Sequence, residues 1–377
     1  MTQRSRRLGA AIGLLLLAVV LSGCGAAPTT QNWPGLTAND GTIYVISGLP
    51  QQVYMLDAET GAQKATFVPQ GEHKGVLYWS PVTVGGGLAF VGFAESSKTS
   101  VLYAFDPDAG QEQWHIDVED LILAAPVYAD GVVYFGTSDG RVHAVDVETQ
   151  TAKPGWPFQT AQAIWASPLI ADGRAYVSSM DHHLYCLDAE TGQKVWDFEA
   201  GGALAAQPIL DASRDILYIG AFDGKVYAIQ ADSGQAVEGF YFKAENWIWS
   251  EVLMADDQLY VSSLDGKLYA LDPSTGTVNP PYPYDSQDVS GESDTIRAAP
   301  VQAGEFIVVA TESGRVIAVK DGLGQWSWPS GVPQAPILTN PVVSEGRVHI
   351  ALTNGQVQTL QAENGAQSWS FSPPKGD

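Results

Sequence analysis

A four-part unit of about forty residues recurs eight times in this chain, and a repeat of that length leaves few folds open. Its most regular piece is a short run with apolar residues in alternate places: "TIYVIS", "LAFVGF", "VVYFGT", "RAYVSS", "ILYIGA", "QLYVSS", "FIVVAT" and "RVHIAL". Eight to ten residues upstream of the aromatic slot stand Leu36, Pro81, Pro126, Pro168, Pro208, Val252, Pro300 and Pro341, spaced by 40 to 48 residues. An apolar segment such as "SPLIAD" precedes the run. A tight turn follows it, Asp139-Gly140, Asp223-Gly224 or Asp265-Gly266, of the kind that closes two-residue hairpins. Then come a third run, "RVHAVD", "KVYAIQ" or "KLYALD", an "AETG" turn and a fourth run often closed by Trp. Period-2 alternation reads as strand. Four antiparallel strands per unit, eight units long, predict an all-β, eight-bladed β-propeller.

The repeat also disposes of an apparent metal site. Asp181, His182, His183 and Cys186 crowd into "MDHHLYC", and each residue type can ligate zinc. Column by column, however, Cys186 stands where other units have Ala104, Ala144, Ala228, Ala270 and Ala318, and a free Cys behaves as a small hydrophobe. His183 takes the slot of Arg141, Lys225, Lys267 and Arg315, His182 replaces a turn glycine, and Asp181 is the turn Asp. Alternation points His183 and Cys186 to opposite faces. The stretch is a blade hairpin, and no metal ligands are expected. His143 and His349 fall in Tyr slots and read as packing residues. No nucleophile–base arrangement or phosphate loop stands out, so no catalytic residue is assigned.

The N-terminus reads as an export signal over residues 1–23: Arg4, Arg6 and Arg7, then the apolar "LGAAIGLLLLAVVL", then "LSGC". That ending resembles a bacterial lipobox, which implies lipidation of Cys24, a tether over 24–32 and a propeller over 33–377. The implied location is the cell envelope, lipid-anchored and outside the cytoplasm, on the outer membrane if the host has one. With Cys24 acylated, Cys186 is the one remaining cysteine of the two, and no internal disulfide can form. The 42 Asp and Glu against 19 Lys and Arg give a formal charge of −23, which speaks against a nucleic-acid partner.

At Cys186–Trp196 and Ala104–Trp114 the chain resembles the PQQ-type propeller repeat, Ala-x-Asp-x-x-x-Gly-x-x-x-Trp. Degenerate copies cover Met55–Ala65, Ala270–Pro280 and Thr359–Trp369. The resemblance implies a Trp packed between blades, and two functional branches. Quinoprotein dehydrogenases hold pyrroloquinoline quinone with calcium, usually beside a vicinal disulfide that this chain lacks. The other branch is the lipoproteins of outer-membrane-protein assembly, non-catalytic eight-bladed scaffolds that bind a protein partner. Length, lipobox and unit count favour the second branch. A PQQ- or carbohydrate-binding propeller, even a quinoprotein oxidoreductase, is the alternative. In the lipoprotein branch the N-terminal segment usually completes the last blade. Here the last unit carries its own fourth strand, "QSWSFSP", which leaves ring closure open.

Turns joining strands 1–2 and 3–4 are short and uniform. The opposite face carries the departures: Ala94–Ser100 lengthens one hairpin, and Asn279–Arg297 joins units six and seven. This is the expected partner face. On the same face Trp33, Trp165 and Trp249 sit three residues before the inner-strand marker, with Trp79 one place later and Arg297 in the equivalent slot of unit seven. These five residues are the candidate channel-mouth site for a planar anion or a partner's anchor, against the alternative that the rings pack between blades.

Overall fold

The computed structural model describes residues 35–48, 51–69, 80–291, 294–333 and 335–374. The signal, Cys24, the tether, Trp33 and Trp79 lie outside them. Within them the repeat becomes eight antiparallel sheets in sequence order: blade one (Leu36–Phe67), two (Thr83–Val118), three (Val127–Gln159), four (Leu169–Glu199), five (Ile209–Lys243), six (Leu253–Asp285), seven (Val301–Trp328) and eight (Val342–Phe371). Each blade is a four-strand meander of inner, second, third and outer strand; in blade three the outer strand is split into two short pieces. The one helix among the described residues, α1 (Gln287–Ser290), ends at Gly291 in the left-handed conformation.

Burial follows the position of each strand in its blade. Second strands such as Val132–Gly136 and Ile216–Gly220 are buried at every residue. A sheet covered by neighbours on both faces cannot use the polar half of an alternating pattern, so here the alternation is one of size rather than polarity. Outer strands alternate in exposure instead, as in Lys194–Glu199. Eight apolar clusters result, and each spans two neighbouring blades. One runs through Tyr44, Phe67, Phe93 and Phe105 between blades one and two, where Phe67 and Phe105 stack at 4.4 Å. Another joins Ile216 and Tyr218 to Leu259 and Leu271 between blades five and six.

Beside five of these clusters lies a specific joint, built on the carbonyl that follows the third strand. In blades four, seven and eight the repeat's Trp donates its indole N–H to that carbonyl in the next blade: Trp196 to Ala231 at 3.1 Å, Trp326 to Ala362 at 3.0 Å, Trp369 to Ala58 at 3.1 Å. In blades three and five the second-strand Tyr takes over: Tyr134 donates to Ala189 at 3.1 Å and Tyr218 to Pro273 at 2.7 Å. The turn glycine of the next blade completes the Trp joint. A Cβ at Gly61, Gly234 or Gly365 would lie within 2.4–2.6 Å of the Trp369, Trp196 or Trp326 ring. Blades three, five and six, lacking that Trp, interrupt the outer strand and place Trp156, Phe240 or Tyr282 against Tyr134, Tyr218 or Tyr260 at 5.6–5.9 Å.

Blade eight has its own outer strand (Gln367–Phe371), so no strand is borrowed across the seam. Closure rests on side chains: the Trp369 joint, Tyr54 edge-on to Phe371 at 5.0 Å, and an Arg347–Glu59 pair at 3.7 Å.

Candidate functional site

The hairpin that carries Asp181, His182, His183 and Cys186 is structural. Asp181 accepts hydrogen bonds from the backbone N–H of Ala161 and His183 and from the Tyr185 hydroxyl, at 2.8–3.0 Å. The same Asp-to-Tyr bond joins Asp223 to Tyr227 and Asp265 to Tyr269. His182 holds a left-handed φ of 77°, the conformation of the glycine it replaces. His183 pairs with Asp197 at 3.0 Å, and Cys186 is fully buried, its thiol pushed up to about 11 by desolvation. Among the described residues no three His, Cys, Asp or Glu side chains gather as a metal site.

The inner strands enclose a central channel with a cavity of about 780 Å³. The residue just before seven of the eight strand markers faces it: Gly35, Ala125, Ser167, Gln207, Glu251, Ala299 and Asn340 all line the cavity. Most polar members of this column are tied to the wall. Ser167 donates to the Ala125 carbonyl at 2.9 Å, Gln207 to Pro168 at 3.2 Å, and Asn340 accepts from Ala299 N–H at 2.8 Å. Glu251 breaks the pattern. It makes no hydrogen bond or ion pair among the described residues, and desolvation alone pushes its carboxyl up to about 7.

Three of the five expected mouth residues meet at one end of this channel. Trp165 and Trp249 approach to 5.8 Å between ring centroids, tilted by 56°, above the small Ala205 of the intervening column. The Arg297 guanidinium lies over Trp249 at 4.7 Å, a cation–π contact. Its charge is answered by Glu312 at 3.7 Å, which the Thr295 hydroxyl also holds at 2.6 Å. The other side of the group is a stack absent from the sequence reading: Phe222 on Trp249 at 5.0 Å and Trp247 on Phe222 at 4.8 Å. Phe222 comes from a second-to-third turn where its counterparts are Ser138, Met180, Leu264, Glu312 and Thr353. That aromatic, and the lone acid Glu251, were visible as column outliers.

The connections also differ from expectation. Asn279–Arg297 is not one loop, because its first part belongs to the interrupted outer strand of blade six, ending in the Tyr284–Asp285 strand. Only residues 286–297 cross to blade seven, with Ser286 anchored to the Asp294 carbonyl at 2.8 Å. In Ala94–Ser100 the end residues belong to strands and residues 95–99 form the turn, closed by Glu95 N–H to Thr99 O at 3.0 Å. The blade seven-to-eight connection, residues 329–341, is a further long segment on this face and carries Val332, 88% exposed.

The outer membrane protein assembly factor BamB family matches residues 50–160, 97–240 and 285–376. The chain belongs to that family. Over 102 residues it is 33% identical to the BamB of Yersinia pestis, a stretch covering 25% of this chain and 24% of that protein, so the match spans about a quarter of the curated relative's length. The crystal structure of BamB from Moraxella catarrhalis superposes with a TM-score of 0.69 at 20% identity, covering 88% of this chain and 94% of that one. The designed protein Ika8 gives 0.70 at 15% identity, covering 87% and 96%, and a europium-containing methanol dehydrogenase 0.63 at 14%, covering 78% of each. At these identities the structures share the fold.

The channel lining does not fit pyrroloquinoline quinone with calcium. Calcium takes six to eight oxygen ligands, preferably including carboxylates, whereas the cavity offers one carboxylate, and the Gln207 and Asn340 side chains are engaged with the wall. Its one base, Arg297, is already occupied by Trp249 and Glu312.

Proposed function

We propose that this chain is a non-catalytic scaffold of outer-membrane-protein assembly. It would be tethered in the cell envelope through a lipid on Cys24 and would present its loop-rich face to a protein partner. One observation carries the reading: the family match runs along a propeller whose departures from the repeat gather on a single face. The described residues of 95–99, 286–297 and 329–341 lie in connections on that face, while on the opposite face five of the eight blades repeat the same Asp-capped turn. In those turns Asp57, Asp188 and Asp272 each accept from the backbone N–H of a Thr three residues on. A uniform face supports the fold, and irregular loops on a rigid scaffold are where recognition is placed. No helix among the described residues is long and apolar enough to cross a membrane; the proposed attachment is the lipid on Cys24, which lies outside them.

The test is complementation. In cells lacking their own copy, residues 95–99 are replaced by Asn-Gly and Gln287–Gly291 by a short Gly-Ser linker. Folded outer-membrane β-barrels are then measured by heat-modifiable gel mobility. The loop variants are expected to reach normal abundance and melting temperature yet fail to restore barrel levels, whereas Glu190→Ala on the opposite face restores them. Full complementation by both loop variants would place the working surface elsewhere.

A further inference from the structure

Beyond the scaffold reading, the central channel has the makings of a ligand site of its own. Of the residues lining its cavity, two are ionisable, and they differ in kind. Arg297 is engaged on both sides, by the Trp249 ring and by Glu312, and its Nε is sealed from solvent with no acceptor. Glu251 has no hydrogen-bond or ion-pair partner among the described residues, and its oxygens are not sealed, so the carboxylate opens onto the cavity. A half-buried carboxylate with no such partner among apolar walls favours a bound cation beside it. Around it the walls are apolar and aromatic: Leu123, Leu338, Ala205 and the half-buried rings of Trp165 and Trp249.

A metal ion is poorly served by a single carboxylate. An anion would meet Glu251 and find Arg297 committed. A cation with an apolar body satisfies both halves of the cavity, its charge on Glu251 and its body against Trp165, as aromatic cages do for ammonium groups. We infer that the central channel binds an organic ammonium ion, held by Glu251 and packed on Trp165. Either a free amine or a lysine side chain offers this chemistry.

The experiment is calorimetric titration of the full-length chain in detergent at pH 8.5. The probes are phenethylammonium, cadaverine and Nα-acetyl-lysine methylamide, with phenylacetate and 2-phenylethanol as anionic and neutral controls. At least one amine is expected to bind saturably. Its Kd should rise tenfold or more in Glu251→Gln and severalfold in Trp165→Leu, with both variants keeping the parent's melting temperature to within a few degrees. Tighter binding of phenethylammonium or cadaverine would assign the ligand to free amines, and tighter binding of the lysine derivative to a protein side chain. The inference is overturned if phenylacetate or 2-phenylethanol binds as well as the amines, if Glu251→Gln leaves Kd unchanged, or if no amine binds at millimolar concentration. None of these readouts depends on barrel assembly, so the scaffold proposal stands or falls separately.

Discussion

His143 occupies the third-strand position that holds Tyr185, Tyr227 and Tyr269 in blades four to six, where each hydroxyl reaches its turn Asp at 2.7–2.9 Å. In blade three the imidazole stacks on Phe135 at 4.8 Å, its Nε2 is buried without a partner, and desolvation drops its pKa to about 4. His349 is also held near 4 by burial, between the hydroxyls of Ser344 and Thr359. The sign of the effect follows. Between pH 6.5 and 4 the unfolded chain takes up protons that the folded histidines refuse, so stability falls as pH falls through that window, by roughly 1.4 kcal/mol per pH unit for each group. His143→Tyr should restore the Asp139 partnership and remove one of the two terms. Its gain in melting temperature over the parent is expected to be clearly larger at pH 4.5 than at pH 8. An equal gain at both values would mean that His143 is not held neutral. The capping carboxylates of Asp57, Asp106, Asp146, Asp188 and Asp272, all lowered by turn hydrogen bonds, act in a separate window. Their contribution is present above the ordinary carboxylate range and is lost below it.

Among elements, the glycine of the Trp joint separates backbone conformation from packing. Gly234 and Gly173 have nearly the same φ, 72° and 71°, but a Cβ at Gly234 would sit 2.6 Å from the Trp196 ring, while at Gly173 nothing lies within 4 Å. Gly173→Ala should cost about 1 kcal/mol, the strain of a left-handed alanine. Gly234→Ala adds displacement of the half-buried Trp196 indole and its hydrogen bond, for a total of about 3 kcal/mol. Thermal melts of the two variants give the comparison, and equal losses would remove the glycine from the joint. This joint was legible in the Gly-x-x-x-Trp spacing because a side chain and its socket recur at fixed offsets. The interrupted outer strands were not, because "KPGWPF", "VEGFYF" and "NPPYPY" share only the need to bring an aromatic over a second-strand Tyr. The site divides in the same way. Trp165, Trp249 and Arg297 share one column and could be read together. Phe222 reaches Trp249 from the turn of the preceding blade, and Trp247 stacks on Phe222 rather than on Trp249.

For the whole molecule, the three Trp joints are chemically alike and topologically unequal. Seven neighbouring blade pairs are linked by connections of 8 to 15 residues. Blades eight and one are linked only through the entire chain, and nothing covalent bridges them. Loop-closure entropy grows as (3/2)RT ln n, so bringing together ends some thirty times farther apart along the chain costs about 3 kcal/mol more. Truncating a fully buried Trp to Ala costs ~3–5 kcal/mol, and the half-buried Trp369 contributes up to a similar amount. Trp369→Ala and Trp196→Ala remove the same indole, the same bond to a following-blade carbonyl and the same contact with a turn glycine. Their global melting temperatures should therefore fall together. Their local openings should not. In Trp369→Ala, hydrogen exchange is expected to accelerate along the strands of blades one and eight, since the lost joint no longer offsets the entropy of closing the ring. In Trp196→Ala the short connection between blades four and five keeps the partners together, and faster exchange should stay near the vacated socket at Ala231 and Gly234. If the two variants gave the same exchange pattern, the seam would be sustained by its remaining contacts, the Tyr54–Phe371 pair and the surrounding apolar cluster, and the Trp would be a wedge rather than the clasp of the ring.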